Sequence, residues 1–182
     1  MKYLRRVSIA LGITALGVGI AVFVFCIKSL QYESYSRGTV AEDIPLENVS
    51  QNFSELYTEI FEKCRPYVKD HILVQLEGRY MLEDETVHYR EAEFVFYRYV
   101  DERAEGGRIS VIQAKVSMEE RMLDIYSFYG AGRAYSPAGS QEIEAEELDS
   151  VTEHILDNPD MQGSGHFTFW KGSEGEPVVL NM

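Results

Sequence analysis

Cysteine is nearly absent from this 182-residue chain, which has two, Cys26 and Cys64. Cys26 falls inside an apolar run and Cys64 in a predicted helix well beyond it. No intramolecular disulfide can staple such a fold, and stability has to come from a buried core. Positive charge is also scarce: seventeen Lys and Arg stand against thirty Asp and Glu, a formal net charge of −13. Residues 1–28 hold four of those cations and no acid, which leaves residues 29–182 at −17. A domain this negative is repelled by phosphate backbones, so nucleic acid is excluded as a partner. Cationic proteins, metal ions or the basic face of a neighbouring membrane subunit are compatible with it.

Several chemical signatures are missing. His71, His88, His154 and His166 share no metal-binding spacing such as H-E-x-x-H. Glu153, Asp157 and Asp160 lie close in sequence, without the glycine and terminal glutamate of an EF-hand loop. Ser164 stands in Gly163-Ser164-Gly165, which is not the G-x-S-x-G nucleophile elbow. Gly130 and Gly132 precede a helix, but Tyr135 occupies the place of the third dinucleotide-binding glycine, and the glutamates that open the helix would repel a pyrophosphate. The sequence therefore predicts no cofactor and no metal, and no residue set in it names a reaction. Glu91 and Glu93 should project from one face of a strand, roughly 7 Å apart. That separation suits a carboxylate pair in hydrolysis, but in a chain this acidic solvated outer-face residues are the better account of it.

Long hydrophobic runs are absent with one exception. Val7 to Ile27 is twenty-one consecutive residues without a formal charge. As a helix it reaches about 32 Å, enough to cross a hydrocarbon core of about 30 Å. The run is longer than a signal-peptide core, ends in bulky Phe23, Val24 and Phe25, and is followed at once by Lys28 instead of a small-residue cleavage site. It reads as an uncleaved transmembrane anchor. Lys2, Arg5 and Arg6 on the short side predict a cytoplasmic N-terminus, with the bulk of the chain extracytoplasmic. Ala15 with Gly19, and Gly17 with Ala21, form small-xxx-small pairs, candidate positions for helix packing.

The predicted organisation is a cytoplasmic tail at 1–6, a transmembrane helix at 7–27, a linker at 28–47 and a domain at 48–182. The linker mixes polar residues with a glycine and a proline and shows no sustained period. Asn48 and Asn52 each head an N-x-S sequon, a glycan acceptor in a eukaryotic secretory route. A first helix is expected from Asn52, capped with the help of Glu55. Its apolar face carries Phe53, Leu56, Tyr57, Ile60, Phe61, Cys64 and Val68, and Pro66 ends it. From His71 the period becomes two, with Ile72, Val74, Leu76, Tyr80 and Leu82 on one side and His71, Gln75, Glu77 and Arg79 on the other. Further strands are expected over Val87 to Val100, Arg108 to Met118 and Met122 to Tyr129. A loop (Gly130 to Ser140), a second helix (Glu142 to Asp157) and a terminal hairpin (His166 to Lys171, Pro177 to Leu180) complete the order.

Strands grouped between helices and joined by short polar turns predict an α+β fold, one antiparallel sheet with two helices packed on it. The aromatic residues cannot all face one core, because neighbours in a strand alternate sides. Tyr97, Tyr99, Tyr126, Tyr129 and Trp170 are therefore the candidate ligand-binding residues, lining a sheet face open to a peptide, a glycan or a partner domain. The expected function is a single-pass, membrane-anchored extracytoplasmic binding or interaction domain, located at the cell membrane. An envelope hydrolase with an acidic or histidine site and an accessory subunit of a membrane complex are the alternatives.

Overall fold

In a computed structural model the described residues are 36–101, 108–131, 141–172 and 174–181. The predicted anchor and its helix-packing positions Ala15, Gly17, Gly19 and Ala21 lie outside them, as does most of the Gly130 to Ser140 loop. Among the described residues no helix is long and apolar enough to cross a membrane.

Seven strands form one antiparallel sheet: β1 (Ser36–Pro45), β2 (Ile72–Glu83), β3 (Thr86–Asp101), β4 (Arg108–Ser117), β5 (Met122–Ala131), β6 (Ser164–Lys171) and β7 (Pro177–Asn181). Their order across the sheet is β1-β5-β4-β3-β2-β6-β7. Two helices, α1 (Phe53–Cys64) and α2 (Ser150–Asp157), pack on one face, the expected α+β arrangement.

Three details differ from the sequence reading. The predicted linker contributes the edge strand β1 from Ser36 onward. Two register shifts, between Thr39 and Ala41 and between Ala41 and Ile44, break its period-two pattern, and Asp43 takes a left-handed φ of 54°. Val40, Ala41 and Ile44 still reach the core, which is why the segment pairs despite showing no alternation. In β2, a shift between Leu73 and Gln75 makes Val74 the extra residue. Leu73 rather than Val74 joins Leu76 and Tyr80 under the helices, and Ile72 and Val74 belong to a separate cluster. The second helix is also split, a 3-10 turn over Ala145–Asp149 running into α2.

The remaining elements follow local chemistry. Asn52 caps α1 by accepting from the Glu55 N–H at 3.0 Å, and Asp149 accepts from the Ser54 N–H at 3.1 Å, so α1's first turn is satisfied partly from across the helical layer. Phe53, Leu56, Ile60 and Cys64 of α1 meet Val151 and Ile155 of α2 over Leu76, Phe94, Phe96, Ala114, Ile125 and Phe167, all fully buried. Phe53 is central, with ring centroids 4.2 Å from Tyr89, 5.8 Å from Phe167 and 6.5 Å from Phe94. Gly78 in β2 is required there: a Cβ would stand 2.6 Å from the Glu91 carbonyl and 2.8 Å from the Phe167 ring. Burial raises the thiol of Cys64 to about 12 and keeps it a neutral core residue, in line with its helical spacing.

Candidate functional site

The helices cover one face of the sheet; neither contributes a residue to the cluster on the other. Along that second face the register builds rows running across the strands. At one end Phe128, Val111, Tyr97 and Ile72 align, and with Val74, Val95 and Ile109 they form a small apolar cluster. The next row is Tyr126, Gln113, Val95, Gln75 and Trp170. Then come Asp124, Lys115, Glu93, Glu77 and Thr168, and finally Ser117, Glu91, Arg79 and His166. Polarity thus rises in steps from one end of the strands to the other.

The charged end is hollowed. A groove of about 190 Å³ is lined by Glu77, Arg79, Glu91, Glu93, Lys115 and His166 over the backbone of Gly78 and Ala92. Through Glu91 and Lys115 it continues into a second hollow of about 310 Å³, walled by Asp43, Glu119, Glu120 and Asp124. Glu91 sits between two cations, with Arg79 Nε at 3.9 Å and Lys115 Nζ at 3.8 Å from its Oε2. The Gln75 amide donates to Glu77, and the Tyr126 hydroxyl donates to Asp124 Oδ2 at 3.3 Å. Asp124 Oδ1 accepts in turn from the Asp43 N–H of the edge strand at 3.0 Å, which fixes the rim. Seven carboxylates against one lysine and one arginine give the two hollows a negative field with fixed cations inside it.

No family model, curated protein or solved structure matches this chain. Its chemistry has to be argued from its own residues.

Of the aromatic candidates, Tyr97, Tyr126 and Trp170 fall on this second face. Tyr97 is 5% exposed and belongs to the apolar end; Tyr126 and Trp170 are half-buried and border the groove. Tyr99 pairs with Ile109 and Tyr129 with Ser110, and their side chains lie outside the described residues. Glu91 and Glu93 do share a face. Sequence reading did not join Glu77, Arg79, Lys115 and His166 to them; the polar alternation of each strand was visible, but not the register that sets four strands side by side. Among the described residues no group of three or more His, Cys, Asp or Glu is placed to hold a metal ion.

Proposed function

We propose that the chain is a single-pass, membrane-anchored extracytoplasmic domain that binds a positively charged ligand or protein partner in the groove on its helix-free sheet face. One observation carries this reading: on that face a concave, mostly acidic surface holds its side chains in fixed rows instead of presenting a scattered solvated fringe. Carboxylates that excel in number supply attraction, whereas Arg79 and Lys115 favour a partner with matching acceptors over any diffuse cation. Tyr126 and Trp170 at the border offer flat apolar contact for the ligand's body. The apolar run at Val7 to Ile27 supports the tether.

Affinity capture of tagged full-length protein from detergent-solubilised membranes tests the reading. The expected result is a partner retained by the natural chain and lost from a Glu77→Gln/Glu91→Gln/Glu93→Gln variant. An identical captured set from both proteins would overturn the assignment of the groove. Release of the full-length chain by alkaline carbonate would overturn the tether.

A further inference from the structure

A second constellation lies on the opposite face, beyond the end of α1, and the function proposed above makes no use of it. After α1 the chain turns through Val68, whose carbonyl accepts from the His71 N–H at 2.9 Å, and Asp70 is held at a left-handed φ of 60°. This turn presents the His71 ring to β4. His71 Nδ1 lies 3.0 Å from the Lys69 carbonyl, which can only accept, so Nδ1 carries the proton and Nε2 of the neutral ring is a lone-pair acceptor. Nε2 is 3.1 Å from Ser110 Oγ, whose hydroxyl therefore donates to it. This is the hydrogen-bonding order of an activated serine: a hydroxyl on a base, and the base oriented by a third group. Arg98 is the register partner of Ser110 and pairs with Asp70 at 3.6 Å. Its Nε is buried without a hydrogen-bond partner among the described residues, whereas the side chain as a whole is 40% exposed. Ser110 and His71 are themselves half-buried.

We propose that Ser110 and His71 form a nucleophile and general-base pair that takes acyl groups from carboxylic esters, with Arg98 as the donor to the developing oxyanion. Ser110 Oγ attacks the carbonyl carbon while His71 Nε2 accepts its proton, and the displaced electron pair goes to the carbonyl oxygen beside the guanidinium. Collapse of the adduct breaks the bond to the alkoxy group, which leaves as an alcohol with the proton from His71. Water then attacks the acyl-serine by the same proton path, releasing the acid and restoring Ser110. No metal, oxidant or further reactant is needed. Desolvation lowers the pKa of His71 below its ordinary 6.5, with Arg98 pushing the same way. The Lys69 and Val68 carbonyls and Asp70 oppose that shift, and the net direction leaves the ring neutral at pH 7.

The test is phosphonylation of the full-length chain in detergent by a fluorophosphonate, in which the Oγ–P bond forms and fluoride leaves. Peptide mass spectrometry should place the adduct on Ser110. Its rate should rise with pH through one titration centred below 6.5, the ordinary value for His71. Ser110→Ala should remove the adduct, and His71→Gln should slow its formation by about 100-fold. An unmodified Ser110 at every pH overturns the proposal, and so does equal labelling in the His71 variant. The pH profile reads the same base in the unaltered chain, so a variant that fails to fold leaves the outcome decidable; a flat profile is a negative result.

Discussion

The two faces of the sheet are built by the same strands and differ in chemistry. Under the helices, alternate residues of β2, β3, β4 and β6 close a core in which Leu76, Phe94, Phe96, Ala114, Phe167 and Phe169 have no exposed surface. One residue along each strand, the other face passes from a small apolar cluster to Glu77, Glu91, Glu93 and Lys115. Volume-conserving apolar exchanges on the first face should be tolerated, away from tight positions such as Gly78. The second has polar groups in specific places, which packing alone does not require. A packed core and a largely charged surface are therefore separated by the two-residue period of the strand.

The sharpest way to probe that separation is alkaline titration. Desolvation raises the hydroxyls of Tyr57 and Tyr89 from 10.0 to about 12, and Cys64 rises from 9.0 to about 12. All three lie on the helical side. Folded values above unfolded ones mean that their contribution is complete below about pH 9 and is lost as pH climbs toward 12. Cooperative unfolding followed by circular dichroism across that window is expected, and a flat signal to pH 12 would show that the helical face is wetter than its packing implies.

Smaller effects refine the contrast. Phe94→Ala should cost about 4 kcal/mol in urea unfolding, as for other large-to-small changes of a buried ring. Val111→Ala in the apolar cluster of the second face should cost about 2 kcal/mol from two lost carbons and a partly filled cavity. If the two losses were equal, the two faces would be equivalent cores. Asn52→Ala removes the α1 cap and should cost about 1 kcal/mol, read as a shift of the urea midpoint at unchanged slope. Glu91→Gln should alter stability by no more than about 0.5 kcal/mol, because both its ion pairs are solvent-exposed, while weakening capture of a cationic partner. A large stability loss there would recast the groove as structural.

Much of the fold was legible. Phe53, Leu56, Ile60 and Cys64 recur at helical spacing and are buried; Ile112, Ala114 and Val116 alternate and face the helices; Leu148, Val151 and Ile155 form the expected stripe, while Ile143 is buried ahead of the helical segment, its N–H donating to the Leu73 carbonyl. The failures cluster where a bulge adds a residue. Each insertion reverses the sense of every side chain beyond it, so a pattern read at strict period two assigns the wrong face, as at Leu73 and Val74, or no strand at all, as at 36–45.

Site assembly was less legible. Glu91 and Glu93 are two apart in one strand, and local geometry sufficed to put them on one face. His71 and Ser110 are 39 positions apart. Nothing in either neighbourhood marks them as partners: His71 follows a helix-ending turn, and Ser110 opens a run of apolar alternation.

What the sequence settles unaided is whatever depends on spacing within a few residues: the helical faces, the cap at Asn52, the turns at Asp84 and Glu120, the acidic charge and the apolar run near the N-terminus. Strand order, register and the placing of Lys115 beside Glu91, or of Ser110 beneath His71, belong to the tertiary structure. Those contacts join distant segments, and the free energy that selects one register over another is the burial of the whole helical face, a sum to which no local stretch contributes enough to be read alone.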